Sequence, residues 1–98
     1  MEVPRERRIM TEATVPLLPR HVRVHFDPVR QRDVVLSPEK VFWPDEISVQ
    51  ILRLCDGTRS VGGIADTLAV EYNAPREIIL ADVMEFLQEW SDNLLLKS

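Results

Sequence analysis

From His21 the chain alternates: Val22, Val24 and Phe26 fall on one side and His21, Arg23 and His25 on the other. A period of two is the mark of a half-buried strand. Asp27-Pro28 opens a loop through Arg32, and Asp33-Val34-Val35-Leu36 predicts a second strand. Ser37-Pro38-Glu39-Lys40 suits a tight turn, because proline already satisfies the φ that the turn needs. Val41-Phe42-Trp43 then predicts a third strand, ended by Pro44, which cannot donate to a ladder. The three form an antiparallel meander in which an edge is left unpaired.

After Pro44 the period changes. Asp45 is placed to cap a helix carrying Ile47, Ile51, Leu54 and Cys55 at helical spacing. Gly57 can take the left-handed conformation that closes it, and Ser60 can cap the next. The second helix spans about Val61 to Tyr72, with Val61, Ile64, Ala65, Leu68 and Tyr72 inward. Gly62 and Gly63 each cost it about 1 kcal/mol relative to alanine, so another backbone is expected to approach closely there. Asn73-Ala74-Pro75 stops this helix and restarts a third, about Pro75 to Trp90. Its apolar stripe is broad. Ile79, Val83, Phe86 and Trp90 form one seam, and Leu80, Met84 and Leu87 a second about 100° around the helix. One seam is expected in the core and the other as either more core or a binding face, and a small domain has little with which to cover both. Leu94-Leu95-Leu96 is a last apolar patch, read as a terminal strand or an extra turn of helix.

The pattern is α+β and winged-helix-like: an N-terminal three-stranded antiparallel sheet followed by three helices. At 98 residues the chain is one small domain, taken as residues 20–98. Residues 1–19 carry Pro4, Pro16 and Pro19 without sustained periodicity, and are read as a flexible segment or linker. Met10 can serve as an alternative start.

Composition narrows the function by exclusion. The formal charge of −4 argues against a nucleic-acid binder, whose phosphate contacts need a clustered basic surface. The alternative, a winged-helix DNA-binding regulator, would read the major groove with the third helix. Glu77, Asp82, Glu85 and Glu89 there, against Arg76 alone, would repel phosphate. No apolar run approaches the ~20 residues of a membrane span, and no apolar signal region follows Met1. A single cysteine, Cys55, reads as a buried small hydrophobe. Cytoplasm is the default location. His21 and His25 lie on a strand with no cysteine nearby, so no metal site is expected. No nucleophile elbow, nucleotide loop or acid–base pair appears, so neither catalysis nor a cofactor is expected.

A peptide-binding reading uses what remains. The edge Val41, Phe42 and Trp43 can accept an extended peptide as an added strand, with Leu80, Val83, Met84 and Leu87 as the apolar wall of the groove. An unpaired edge leaves open either a monomer or a strand-exchanged dimer.

Residues 18–96 resemble the PqqD family of pyrroloquinoline quinone (PQQ) biosynthesis. The resemblance rests on Pro19-Arg20-His21-Val22-Arg23, Asp27 through Val35, and Leu36-Ser37-Pro38-Glu39-Lys40-Val41. It continues in Ile51-Leu52-Arg53-Leu54-Cys55-Asp56-Gly57 with Ser60-Val61 and Ile64-Ala65, then Phe86-Leu87 and Leu94-Leu95. It implies a peptide chaperone, the recognition element of a pathway that modifies a ribosomal peptide. Such a domain binds the precursor peptide PqqA and presents it to the radical S-adenosylmethionine (SAM) enzyme PqqE. In related domains the peptide pairs with the third strand and lies against the third helix. Some members are fused to PqqC, which would make residues 1–19 a linker. Trp43-Pro44-Asp45 departs from the Leu-Asn often found after the third strand.

Overall fold

A computed structural model describes residues 8–98. Three strands, β1 (Arg23–Asp27), β2 (Arg32–Leu36) and β3 (Val41–Phe42), form an antiparallel sheet in the order β1-β2-β3. Val24 pairs with Val35 and Val35 with Phe42, so one row across the sheet faces the helices. Val35 is fully buried in that row. Phe26, expected on the same face, sits past the edge of the core and is half exposed. The Asp27 carboxylate closes the first turn by accepting the amides of Val29 (2.9 Å) and Arg30 (3.3 Å). Ser37 closes the second: its amide donates to the Lys40 carbonyl at 3.0 Å and its hydroxyl accepts the Lys40 amide at 3.2 Å.

The third strand is shorter than its sequence suggests. It stops at Phe42, and Trp43 leaves the ladder with its carbonyl taken by the Arg32 guanidinium at 3.3 Å.

Three helices follow: α1 (Glu46–Arg53), α2 (Val61–Glu71) and α3 (Arg76–Asp92). The expected caps are in place. Asp45 accepts the Ser48 amide at 2.9 Å and Ser60 the Gly63 amide at 3.1 Å, each satisfying an orphan donor of a first turn. Gly57 has φ +82, but it lies beyond the end of α1, in the turn toward α2. A Cβ there would meet Leu17 at 3.3 Å, so the position is closed to side chains on two counts. Tyr72, assigned to the inner face of α2, caps its end and is exposed.

The largest departure is at the N-terminus. Residues 1–7 lie outside the described residues, but from Met10 the expected flexible leader is a strap docked on the helices. Met10 and Pro16 are buried. The amides of Gly57, Val61 and Gly62 donate to the carbonyls of Pro16, Thr14 and Glu12 at 3.1, 2.8 and 3.0 Å. Two of those donors are first-turn amides of α2 that no residue of α2 itself could satisfy. Gly62 is the expected close approach: a Cβ would meet the Glu12 carbonyl at 3.4 Å. Arg76 ties the strap to both helices by pairing with Glu12 and Asp66. Leu17 exchanges two bonds of 2.8 Å with Lys97, joining the two ends of the domain.

Candidate peptide-binding groove

As the last strand of the sheet, β3 has one open side. Because the Ser37 amide bonds the Lys40 carbonyl, the alternation of an antiparallel ladder makes Leu36–Val41 a non-hydrogen-bonded pair. The N–H and C=O of Val41 therefore point away from β2, toward solvent. Its side chain is 55% exposed.

Beneath that edge lies a cavity of about 500 Å³ between β3 and the C-terminal half of α3. Phe42 supplies its strand side, Trp90 its helix side and Leu95 its end. The Phe42 and Trp90 rings meet at 5.3 Å between centroids, and Phe86 stacks on Trp90 at 5.4 Å. Such pairs hold one another's orientation, so the apolar floor is preformed. Ser37, Glu39, Lys40, Glu89 and Asn93 supply the rest of its lining. A cavity with Phe42, Trp90 and Leu95 set among polar and charged side chains, beside an open strand edge, is suited to a peptide that pairs by its backbone and anchors by alternate side chains.

Trp43 marks the other end of β3. The guanidiniums of Arg30 and Arg32 stand over its ring at 5.2 and 5.3 Å, so it serves as a platform for two cations rather than as a pairing residue.

The structure keeps Val41 and Phe42 at the edge and revises the helix wall. Val83 and Leu87 are 1% and 0% exposed, in the centre of the core, and cannot line a groove. Leu80 and Met84 are half-buried on the opposite flank of α3. Gln88, one turn beyond Met84, faces the strap: its side chain accepts the Met10 amide at 2.9 Å and donates to the Arg8 carbonyl at 2.7 Å. Phe86 lies about 160° around the helix from Met84, on the side turned to the sheet. The helix wall of the cavity is thus Trp90, backed by Phe86, both from the seam that also carries Ile79 and Val83. Phe86, Trp90 and Leu95 are the residues missed, and the signal for two of them was their aromatic character within an apolar seam.

Elsewhere there is little reactive chemistry. Among the described residues no group of three metal-ligating side chains is present, and no helix is long and apolar enough to cross a membrane. Cys55 is buried, with its thiol donating to the Ile51 carbonyl. Burial, and then the charge of Asp56, push that thiol up to about 12, so it is un-ionised at neutral pH.

Comparison with known proteins agrees with the fold. The family described as Coenzyme PQQ synthesis protein D (PqqD) matches residues 33–96. The chain is 51% identical over 83 residues to the PqqA binding protein of Bradyrhizobium diazoefficiens, covering 85% of this chain and 81% of that one. It is 45% identical over 73 residues to the Bifunctional coenzyme PQQ synthesis protein C/D of Methylorubrum extorquens, covering 74% of this chain but 20% of that larger protein. The solution structure of the PqqD truncation of Methylobacterium extorquens PqqCD superposes with a TM-score of 0.78 at 38% identity, covering 91% of this chain and 95% of that one. That truncation is described as a functional, stand-alone recognition element for a ribosomally synthesized and post-translationally modified peptide. The chain belongs to the PqqD family.

Proposed function

We propose that this chain is a non-catalytic chaperone that binds PqqA by strand addition along β3 and presents it to the radical SAM enzyme PqqE in PQQ biosynthesis. The observation that carries the reading is the open Val41 edge above the Phe42–Phe86–Trp90 floor. The peptide backbone pairs with Val41, and its inward side chains enter the aromatic cavity. Affinity comes from the backbone bonds and from the apolar area removed from water. The names of the relatives supply the ligand, since the Bradyrhizobium protein is a PqqA binding protein. The fused C/D relative supports PqqC as a further partner. A cytoplasmic setting is supported by the free, buried Cys55. The bound form is one chain with one peptide, the peptide taking the edge that a strand-exchanged dimer would otherwise use.

The test is Val41→Pro. This substitution removes the outward N–H while leaving the β2–β3 bonds intact, because that amide is not part of the ladder. The expected result is an unchanged fold by circular dichroism with PqqA affinity at least tenfold lower by calorimetric titration. Unaltered affinity in a folded Val41→Pro variant would refute strand addition at this edge.

A further inference from the structure

The C-terminus of α3 carries a feature that the groove so far does not use. Leu94 has φ 62, a left-handed conformation normally left to glycine or asparagine. Around it the Leu94 amide donates to the Ser91 carbonyl at 3.0 Å and the Leu95 amide to the Trp90 carbonyl at 2.9 Å, the paired bonds of a Schellman turn. The strain is held from outside: Leu96 is buried, and Lys97 is clamped to Leu17 by two bonds. Yet the Leu94 side chain is 63% exposed. Neither the backbone, which would prefer glycine, nor the core, which it hardly touches, accounts for a leucine here.

What the side chain does is wall a second cavity, of about 240 Å³, against His21 and Pro38. This cavity shares Ser37, Glu39, Asn93 and Leu95 with the aromatic one, so the two are continuous around the β2–β3 turn. The geometry points to a second subsite: the peptide groove runs past the start of β3 into a pocket walled by Leu94, which takes a bulky apolar side chain of the same bound peptide. This inference rests on the strand-addition reading. The occupant is the part of the peptide that passes the start of β3, just outside the strand-paired stretch. Leu94, Leu95 and Pro38 give the pocket its apolar character, and His21, Glu39 and Asn93 give it a polar rim.

Leu94→Gly separates side chain from backbone, because glycine accepts the left-handed conformation without strain. With the full chain and a fluorescently labelled synthetic PqqA peptide, Leu94→Gly is expected to keep or raise the thermal midpoint while binding about tenfold more weakly. Leu94→Met, which restores an apolar side chain, is expected to recover most of that loss. Wild-type affinity in Leu94→Gly overturns the subsite. A lowered midpoint together with weaker binding also overturns it, by assigning the leucine to the fold. If the unaltered chain fails to bind the peptide, the strand-addition reading falls and this inference falls with it.

Discussion

Replacing Leu87 by alanine removes side-chain volume from the most enclosed point of α3, where the residue is 0% exposed among Val83, Ile79 and the α2 core. A fully buried leucine contributes about 1.5–3 kcal/mol by transfer alone. The residual cavity adds to this, so a loss of about 3–4 kcal/mol is expected. Against a total stability of about 5–15 kcal/mol for a chain of this length, the alanine variant stays folded. With a urea m-value of about 1.3 kcal/mol/M, its midpoint should fall by about 2–3 M. Leu87→Asp adds a buried carboxylate with no partner, at a further cost of several kcal/mol, and should abolish the cooperative transition. The assay is urea denaturation followed by far-ultraviolet circular dichroism. A folded Leu87→Asp variant with a near-wild-type midpoint would refute the placement of this seam in the core, and would return Leu87 to the groove.

Met10→Ala should cost about 2 kcal/mol in the same assay, since Met10 buries the first side chain of the strap in the core; no change would mean that the strap is not docked in solution. Asp45→Ala should cost about 1 kcal/mol at neutral pH through loss of the α1 cap. The bonds from Ser48 hold the Asp45 carboxyl below its ordinary range. Its stabilisation is therefore present above about pH 4 and lost as pH falls through the folded value, so wild type and variant should converge in acid. A difference that persists unchanged at pH 2 would contradict the cap. Cys55 should resist alkylation at pH 8 in the native chain and react promptly in urea; rapid native labelling would show that the thiol is not enclosed.

The elements that follow a period were legible in the sequence: alternation for the strands, 3.6-residue spacing for the helices, and Asp45 and Ser60 as caps. What escaped was structure made by the backbone. The strap from Met10 to Leu17 has no period, because it is held through carbonyls offered to the amides of Gly57, Val61 and Gly62. Its side-chain anchors, Met10, Glu12 and Pro16, are too few and too irregularly spaced to show a period. The turn at Leu94 was hidden for a related reason, as a leucine carries no signal for a left-handed conformation. On α3 the breadth of the stripe showed that one flank had spare apolar surface. It could not show which flank meets the sheet, and the strap turned out to face the Met84–Gln88 side. The short third strand has a local cause, the Arg32 side chain taking the Trp43 carbonyl.

The central claim is that a peptide lies along β3 with its side chains over Phe42, Phe86 and Trp90. The most direct measurement is a titration of the isotope-labelled chain with synthetic PqqA, following backbone amide and indole resonances. Saturable shifts at the Val41 amide and the Trp90 indole, with the Leu80, Met84 and Gln88 amides little moved, are the predicted result. Shifts confined to the Leu80–Gln88 flank, or none at all in a folded sample, would contradict it.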